Sequence, residues 1–302
     1  MDDFAINTEK LTKFYKKQRG IVELSLSVRT GEVFGFLGPN GAGKTTTIRL
    51  LLGLLRPTDG SASVFDLDTV KDSVEIRHRC GYLPGELVLY ENMTGTNLLQ
   101  YMASLRRGVS LEFAEELAER LDCDLSRPIR TLSRGNKQKI GLIQALMHQP
   151  ELLVLDEPTS GLDPLVQHEF YKIIAEASAT GQTVFLSSHN LPEVERVCHR
   201  AGIIREGRLI AIEEIASLKE RALRRLEIHF EGAVEKDAFR AVPGIRNLQW
   251  ENSIMRCEIM GSLDPLIKTL AQYNVTNLIS HEPHLDEIFM AFYGEGSEKD
   301  VN

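Results

Sequence analysis

The chain has 302 residues, of which 42% are hydrophobic, 26% charged and 7% aromatic, a mixture typical of folded, soluble proteins. Because a single core rarely organises this many residues, we expect two compact units with separate cores. The formal net charge of −8 argues against a broad basic surface, and we expect no nucleic acid partner.

Neither a membrane span nor an export signal is predicted. No apolar run approaches the roughly 18 residues that cross a bilayer, and the chain starts with the acidic segment Met1 to Phe4. We therefore expect a protein that stays inside the cell. The cysteines are far apart and form no Cys-x-x-Cys pair, which favours buried reduced thiols over disulfides or a zinc site; they are Cys80, Cys123, Cys198 and Cys257.

Short apolar runs alternate with helix-length segments in the first part of the chain. Runs bounded by Gly, Pro or Asp predict buried strands of a mainly parallel sheet, and hence an α/β fold; they are Glu32–Leu37, Leu152–Leu155 and Thr183–Leu186. Between the first two runs, Thr94 to Gln149 carries apolar residues at helical spacing. We interpret this block as a helical insertion.

The pattern changes after Leu218, and we place a domain boundary near residue 220, giving domains 1–220 and 221–302. The second domain is predicted to be a small α+β unit followed by a solvated tail from Gly294 onward. Its predicted helices are Lys219–Arg225, Lys236–Ala241 and Leu263–Tyr273, and its predicted strands are Leu226–Phe230 and Met255–Ile259.

A glycine-rich segment that follows the first strand fits the pattern G-x-x-x-x-G-K-[ST] and opens a helical run. Backbone N–H groups of such a loop surround phosphate oxygens at the positive end of a helix, which predicts ATP binding. The lysine reaches the β- and γ-phosphates, and the first threonine is placed to bind Mg²⁺. The predicted nucleotide-binding residues are Gly38, Pro39, Asn40, Gly41, Ala42, Gly43, Lys44, Thr45 and Thr46.

Two adjacent carboxylates, Asp156 and Glu157, end the second apolar strand. An unpaired carboxylate is costly to bury, so we expect a cation beside Asp156, and Mg²⁺ fits that position. Glu157, which we expect to point elsewhere, is predicted to polarise the attacking water. His189 ends the third strand, where its imidazole is placed to contact the γ-phosphate and hold that water.

A second anion site is predicted where Ser133 and Gly135 open a helical run. The chain already has one phosphate loop, so this site must face something else. The order of phosphate loop, Leu-Ser-Arg-Gly-Asn segment, acidic strand and histidine resembles the ATP-binding subunits of ABC transporters over about residues 4–218. Their Leu-Ser-Gly-Gly-Gln signature differs here at its third and fifth positions, which are Arg134 and Asn136.

This resemblance implies a P-loop NTPase core of the RecA-like, ABC type, with Mg-ATP as the bound species. It also implies that Ser133 and Gly135 contact the γ-phosphate held by the opposite subunit. Tyr15 matches the aromatic residue that stacks on adenine, with Phe14 as the alternative, and Ser160–Asp163 matches the loop that links the two composite sites.

One position departs from the family pattern. A glutamine that touches Mg²⁺ usually follows the strand near Gly81–Pro84, but this chain has Gly85 and then Glu86. Glycine has no side chain to bind an ion, so we expect Glu86 to contribute instead. The apolar residues between Leu87 and Met93 match the place where a coupling helix of the membrane subunit docks in the family.

The resemblance therefore implies an ATPase that works as a homodimer, or as a heterodimer with a related ATPase, and is peripheral on the inner face of the membrane through separate permease subunits. The end of the chain, Leu285–Gly294, resembles the closing segment of ABC-2 type exporter ATPases, which favours export. Two other functions were weighed. A soluble ABC-type ATPase acting on nucleic acid or ribosomes is disfavoured by the single motif set, and a GTPase or small-molecule kinase by the absence of an Asn-Lys-x-Asp motif.

Overall fold

A computed structural model describes residues 4–16, 18–106, 109–221 and 224–281. Within these ranges the strands are β1 Phe4–Tyr15, β2 Gln18–Arg29, β3 Val33–Leu37, β4 Asp59–Val64, β5 Leu67–Asp68, β6 Cys80–Leu83, β7 Leu152–Asp156, β8 Thr183–Ser188, β9 Arg200–Arg205, β10 Arg208–Glu214, β11 Arg224–Phe230, β12 Ile245–Glu251, β13 Ile254–Ile259 and β14 Val275–His281. The helices are α1 Lys44–Leu51, α2 Ser73–Arg79, α3 Gly95–Ser104, α4 Glu112–Arg120, α5 Arg134–Leu146, α6 Pro164–Ala179, α7 Leu191–Val197, α8 Ile215–Arg221, α9 Lys236–Arg240 and α10 Asp264–Leu270, with a 3-10 turn at Ile129–Thr131.

The chain divides into two compact units, Met1–Glu213 and Glu214–Asn302, so the division lies before the predicted residue 220. The first unit contains a six-stranded sheet in the order β10-β9-β3-β8-β7-β6. Its neighbours β9, β3, β8, β7 and β6 pair in parallel, as the continuous apolar runs predicted. The α/β fold class is therefore confirmed.

A second sheet of the first unit was not predicted. Its order is β2-β1-β4-β5, and β1 pairs antiparallel with β2 and with β4. Apolar side chains of both sheets and of α1 form one continuous core, which includes Ile6, Val28, Phe36 and Ile48. This shared core places the start of α1 at the carboxyl end of β3.

The predicted insertion, Thr94 to Gln149, is helical and contains α3, α4 and α5. Arg120 at the end of α4 pairs with Glu169 and Glu176 of α6 at 2.8 and 2.6 Å. Salt bridges from one guanidinium to two carboxylates therefore connect the insertion to a helix of the parallel-sheet layer. Among the described residues, no helix is long and apolar enough to cross a membrane.

The second unit has a four-stranded sheet in the order β12-β13-β11-β14, with β11 antiparallel to both of its neighbours. The element order strand, helix, strand, strand, helix, strand gives the split β-α-β topology of ferredoxin-like folds. The helix predicted over Lys219–Arg225 was wrong at its end, because Arg224 and Arg225 belong to β11. Leu285–Gly294 and the tail after it lie outside the described residues.

The four cysteines are free and buried, as the sequence predicted. Burial raises the pKa of the Cys80 thiol to about 12 and that of Cys257 to about 11. These thiols stay protonated at neutral pH and behave as small apolar side chains.

An aromatic cluster fills the core of the second unit. The Phe239 ring, fully buried, lies 5.7 Å from the rings of Phe230 and Trp250 and 5.4 Å from that of Tyr273. Aromatic rings at these distances contribute area burial and edge-to-face contacts.

We expect Phe239→Ala to lower the free energy of unfolding of this unit by about 3–5 kcal/mol, because the cavity it leaves lacks those ring contacts. Trp250 is the single tryptophan of the chain, so its fluorescence in a urea titration reports on this unit. The control is Ile267→Ala on α10, where the side chain is 55% exposed and the expected change is below about 0.5 kcal/mol. Equal losses in the two variants would contradict this description of the core.

Candidate functional site

The glycine-rich loop connects the end of β3 to the start of α1 and packs tightly against the neighbouring backbone. A Cβ at Gly38 would lie 2.3 Å from the carbonyl oxygen of Ile204, so only glycine fits there. Gly43 has a φ of 110°, a backbone conformation that a side chain would strain. The loop therefore presents its backbone, followed at once by Lys44 as the first residue of α1.

Lys44 is held inside this loop. Its Nζ donates to the carbonyl oxygens of Gly38 at 2.6 Å and Pro39 at 3.3 Å, and only 6% of the residue is exposed. Nζ also lies 3.1 Å from Oε1 of Glu157, in an ion pair. The Lys44 ammonium group is therefore placed to contact a phosphate bound by the loop.

Asp156, the last residue of β7, is 1% exposed, and both of its carboxylate oxygens are partnered. The Thr45 hydroxyl donates to Oδ2 at 2.7 Å, and the Ser187 hydroxyl of β8 donates to Oδ1. Two hydroxyl donors stabilise a buried carboxylate without neutralising it. The sequence analysis missed Ser187, although a pair of serines ending an apolar strand next to the acidic one was a usable signal.

Glu157 lies just beyond β7 with a φ of 53°, in the left-handed region. In a continued strand its side chain would face away from that of Asp156. The left-handed turn instead brings both residues to the wall of one cavity, where their carboxylates have different partners. Oε2 of Glu157 lies 2.7 Å from Nδ1 of His189, which follows β8.

A cavity of about 430 Å³ lies between the glycine-rich loop and the acidic strand. Nine of the predicted ligand-binding or catalytic residues line it together with Asp156, and three residues that the sequence analysis missed complete the wall. The predicted ones are Tyr15, Pro39, Asn40, Gly41, Gly43, Lys44, Thr45, Thr46 and Glu157, and the others are Gln18, Arg19 and Gly20. Gly38 and Ala42 form the loop behind the wall, and His189 reaches the cavity through Glu157.

Of the two aromatic candidates at the end of β1, only Tyr15 lines the cavity. The Tyr15 hydroxyl is 3.4 Å from that of Thr46, and 41% of the residue is exposed. Its ring is thus available for stacking with a base at this edge.

Ser133 and Gly135, two further predicted site residues, do not line this cavity and, unlike Gly38, Ala42 and His189, belong to neither the glycine-rich loop nor the strand ends beside it. Ser133 is the exposed N-cap of α5, and its hydroxyl accepts from the backbone N–H of Asn136 at 3.3 Å. A Cβ at Gly135 would lie 2.6 Å from the carbonyl oxygen of Gly161. The start of α5 therefore packs against the loop that precedes Asp163, the N-cap of α6.

Gly85 lies directly against the acidic strand, because a Cβ there would be 3.1 Å from Oδ2 of Asp156. Glu86, the next residue, is exposed and does not line the cavity described above. The role expected for Glu86 stays a prediction.

Comparison with known proteins identifies the family. The ABC transporter family model matches residues 21–160. The bacitracin transport ATP-binding protein BcrA of Bacillus licheniformis is 39% identical over 225 residues, covering 74% of each chain. The linearmycin resistance ATP-binding protein LnrL of Bacillus subtilis is 32% identical over 307 residues, covering 96% of this chain and 98% of its own.

Solved structures agree. An ATP-binding subunit of an ABC transporter is 30% identical with a TM-score of 0.65, covering 71% of this chain and 92% of that chain. A dimeric bacterial ABC transporter cassette, 21% identical with a TM-score of 0.64, covers 70% of this chain and 98% of that one and supports the fold. The chain belongs to the ABC transporter family, as one of its ATP-binding ATPase subunits.

We expect Ser187→Ala to lower both stability and ATP turnover, because it leaves Oδ1 of the buried Asp156 without its donor. The free energy of unfolding should fall by about 1–3 kcal/mol, and turnover by about tenfold or more. The control, Ser178→Ala, removes a hydroxyl that donates to the Gly31 carbonyl oxygen at 3.0 Å, away from the cavity. Wild-type turnover in Ser187→Ala, measured by phosphate release, would contradict a positioning role for this hydrogen bond.

Proposed function

We propose that the chain is the cytoplasmic ATPase subunit of an exporter and works as a head-to-tail dimer. Two copies, or one copy and a related ATPase, would enclose two ATP molecules and drive separate integral membrane permease subunits. The observation that supports this proposal is the position of Ser133 and Gly135, our proposed anion site: they lie at the start of α5 and do not line the cavity that holds Lys44. A second chain is needed for both to reach one triphosphate.

The residues of the cavity suit the binding of a triphosphate. Lys44 and the free backbone N–H groups of the glycine-rich loop supply positive potential to its phosphates, and Tyr15 offers a ring to its base. One lysine neutralises only part of several negative charges, so the helix end of a second chain adds the missing stabilisation. ATP would therefore favour the closed dimer, and ADP would release it.

Thr45 and Asp156 fit a magnesium ion. Mg²⁺ prefers hard oxygen ligands, is often held by one carboxylate and a hydroxyl, and completes its shell with water and substrate phosphate. Among the described residues, no group of three or more His, Cys, Asp or Glu side chains suited to a metal occurs. When bound, the ion would neutralise charge on the β- and γ-phosphates.

Glu157 and His189 are the proposed catalytic pair. The Glu157 carboxylate, held between Lys44 and His189, is placed to accept a proton from the attacking water. His189 orients that carboxylate and is 57% exposed at its side chain, so it is free to contact the γ-phosphate.

Export of antibiotic-like molecules is supported by the printed names of the relatives, which concern bacitracin transport and linearmycin resistance. Those names favour a transport role over a soluble ATPase acting on nucleic acid or ribosomes. The permease subunits would then carry the substrate path and hold this chain at the inner face of the membrane.

We expect Glu157→Gln to lower ATP turnover by about a hundredfold or more and to trap an ATP-bound dimer, since the site still binds ATP but lacks its base. Gel filtration with ATP, with ADP and without nucleotide measures the dimer. Adding Ser133→Arg to Glu157→Gln should restore the monomer, because the arginine occupies the anion site. A Glu157→Gln variant that stays monomeric with ATP would sink the head-to-tail model.

The segment from Leu87 to Met93 is the proposed permease contact. Val88 is 90% exposed and Tyr90 56% exposed, and the Tyr90 ring packs edge-on against Tyr101 with centroids 6.0 Å apart. Apolar side chains this exposed are typical of contact surfaces.

We expect Tyr90→Glu to abolish co-purification with an integral membrane protein, because it places a charge in an apolar contact, while ATP affinity stays within about twofold. The matched control is Ile210→Glu on β10, which introduces the same charge at a residue that is 44% exposed. Retention of the membrane partner by Tyr90→Glu would rule out this docking segment.

A further inference from the structure

Glu193, in the first turn of α7, is a buried carboxylic acid that the proposed chemistry does not use. It is 1% exposed, and its Oε2 accepts a hydrogen bond from the Ser188 hydroxyl at 2.5 Å. Its Oε1 has no hydrogen-bond partner in the part of the chain that the structure describes. Burying such a group is costly, so its position calls for an explanation.

One side of Glu193 connects to the segment that carries His189. The Ser188 oxygen that donates to Glu193 also accepts the backbone N–H of Asn190 at 2.9 Å. This hydroxyl therefore bridges the backbone on either side of His189. Through Ser188, the Glu193 carboxyl fixes the course of the chain at the histidine.

Ser188 also lies next to the segment that carries Glu157. The backbone N–H of Glu157 donates to the Ser187 carbonyl oxygen at 3.1 Å, next to Ser188. The two segments are thus joined behind the cavity as well as through the Glu157–His189 contact.

α7 is a fixed support for this carboxyl. A Cβ at Gly35 of β3 would lie 2.8 Å from a methyl carbon of Val194 and 2.9 Å from the Cys198 sulfur. The helix therefore packs directly on the backbone of the central strand. This close packing fixes the position of a side chain on α7 relative to the ends of the strands.

We propose that Glu193 is a positioning residue for ATP hydrolysis, which holds the Ser188 segment so that His189 meets Glu157. The inference rests on the proposed catalytic roles of Glu157 and His189. It assigns Glu193 no contact with ATP, so its removal acts on the rate of turnover rather than on binding.

The charge state of Glu193 provides a separate signature. Burial, opposed by the Ser188 hydroxyl, raises its pKa from 4.5 to about 7, with Glu157 raising it further and His189 lowering it. Glu193 in turn raises the pKa values of Tyr171 on α6 and of Cys198, which directly follows α7. The folded state therefore binds a proton that the unfolded state releases, and stability falls as the pH rises from about 4.5 through about 7.

The experiment compares Glu193→Ala, Glu193→Gln and wild type as full-length chains, with kcat and KM for ATP measured at about pH 6.5. We expect Glu193→Ala to lower kcat about tenfold with KM within about twofold, because the nucleotide-binding loop is untouched. The glutamine amide both donates and accepts, like a protonated carboxyl, so Glu193→Gln should restore kcat to within about threefold. Glu195→Gln, on the same helix and only half-buried, is the matched charge control and should behave as wild type.

Two further measurements separate positioning from general loss of structure. Ser188→Ala cuts the same link from its other end, so the double variant with Glu193→Ala should be no slower than Glu193→Ala alone. The melting temperature of Glu193→Gln should rise relative to wild type between about pH 6 and pH 8.5, because the variant has no buried charge to ionise.

Additive losses in the double variant, or wild-type kcat in Glu193→Ala while Glu157→Gln abolishes turnover, would overturn the role of Glu193 and leave the proposed function intact. Normal turnover in Glu157→Gln would instead remove the catalytic assignment on which this inference rests. If Glu193→Ala does not fold, Ser188→Ala alone must reproduce the selective loss of kcat, and an unchanged kcat there overturns the proposal.

Discussion

The buried carboxylate of Asp156 is the constraint on which the rest of the site depends. A charge at 1% exposure is tolerated only if its oxygens are satisfied, and here the donors come from two other segments, Thr45 at the start of α1 and Ser187 at the end of β8. The carboxylate thus fixes the positions of the glycine-rich loop, β7 and β8 relative to one another. The site residues next to these elements are positioned by the same contacts.

Lys44, Glu157 and His189 are positioned in this way. Lys44 precedes Thr45, Glu157 follows Asp156, and His189 follows β8, which pairs with β7. Their side chains form a continuous row with contacts of 3.1 and 2.7 Å. A cation, a carboxylate and an imidazole in this order are placed to hold a phosphate at one end and a water molecule at the other. The proposed dimer would add a second source of positive potential to this row, from the start of α5 of the other chain.

The sequence predicted the parallel sheet well because strands buried on both faces appear as continuous apolar runs, as in Leu152–Leu155. It did not predict β1 and β2, whose pairing shifts register between Thr8 and Leu11 and whose buried Thr8 hydroxyl bonds across the sheet. Buried polar residues and bulges break the alternation that indicates a strand. In the second unit, β14 is exposed along nearly its whole length among the described residues, so it carries almost no amphipathic signal.

Site residues, like strands, were predicted where they form a local sequence pattern and missed where they do not. The glycine-rich loop and the acidic strand are local patterns, and the structure brings their residues to one cavity. Ser187 and Glu193 belong to no such pattern, and their hydrogen-bond partners lie on other elements or outside their own helix. Only the packed structure brings them next to the segments that the motifs identified.

The left-handed backbone at Glu157 has a thermodynamic consequence. A residue with a side chain pays about 1 kcal/mol or more to hold this conformation, and glycine would not. Replacing Glu157 by glycine would therefore relax the main chain while removing the proposed catalytic carboxylate. The residue that best suits the backbone at this position lacks the side chain that the proposed chemistry needs, so a search for thermostable variants that ignored activity would select against that chemistry.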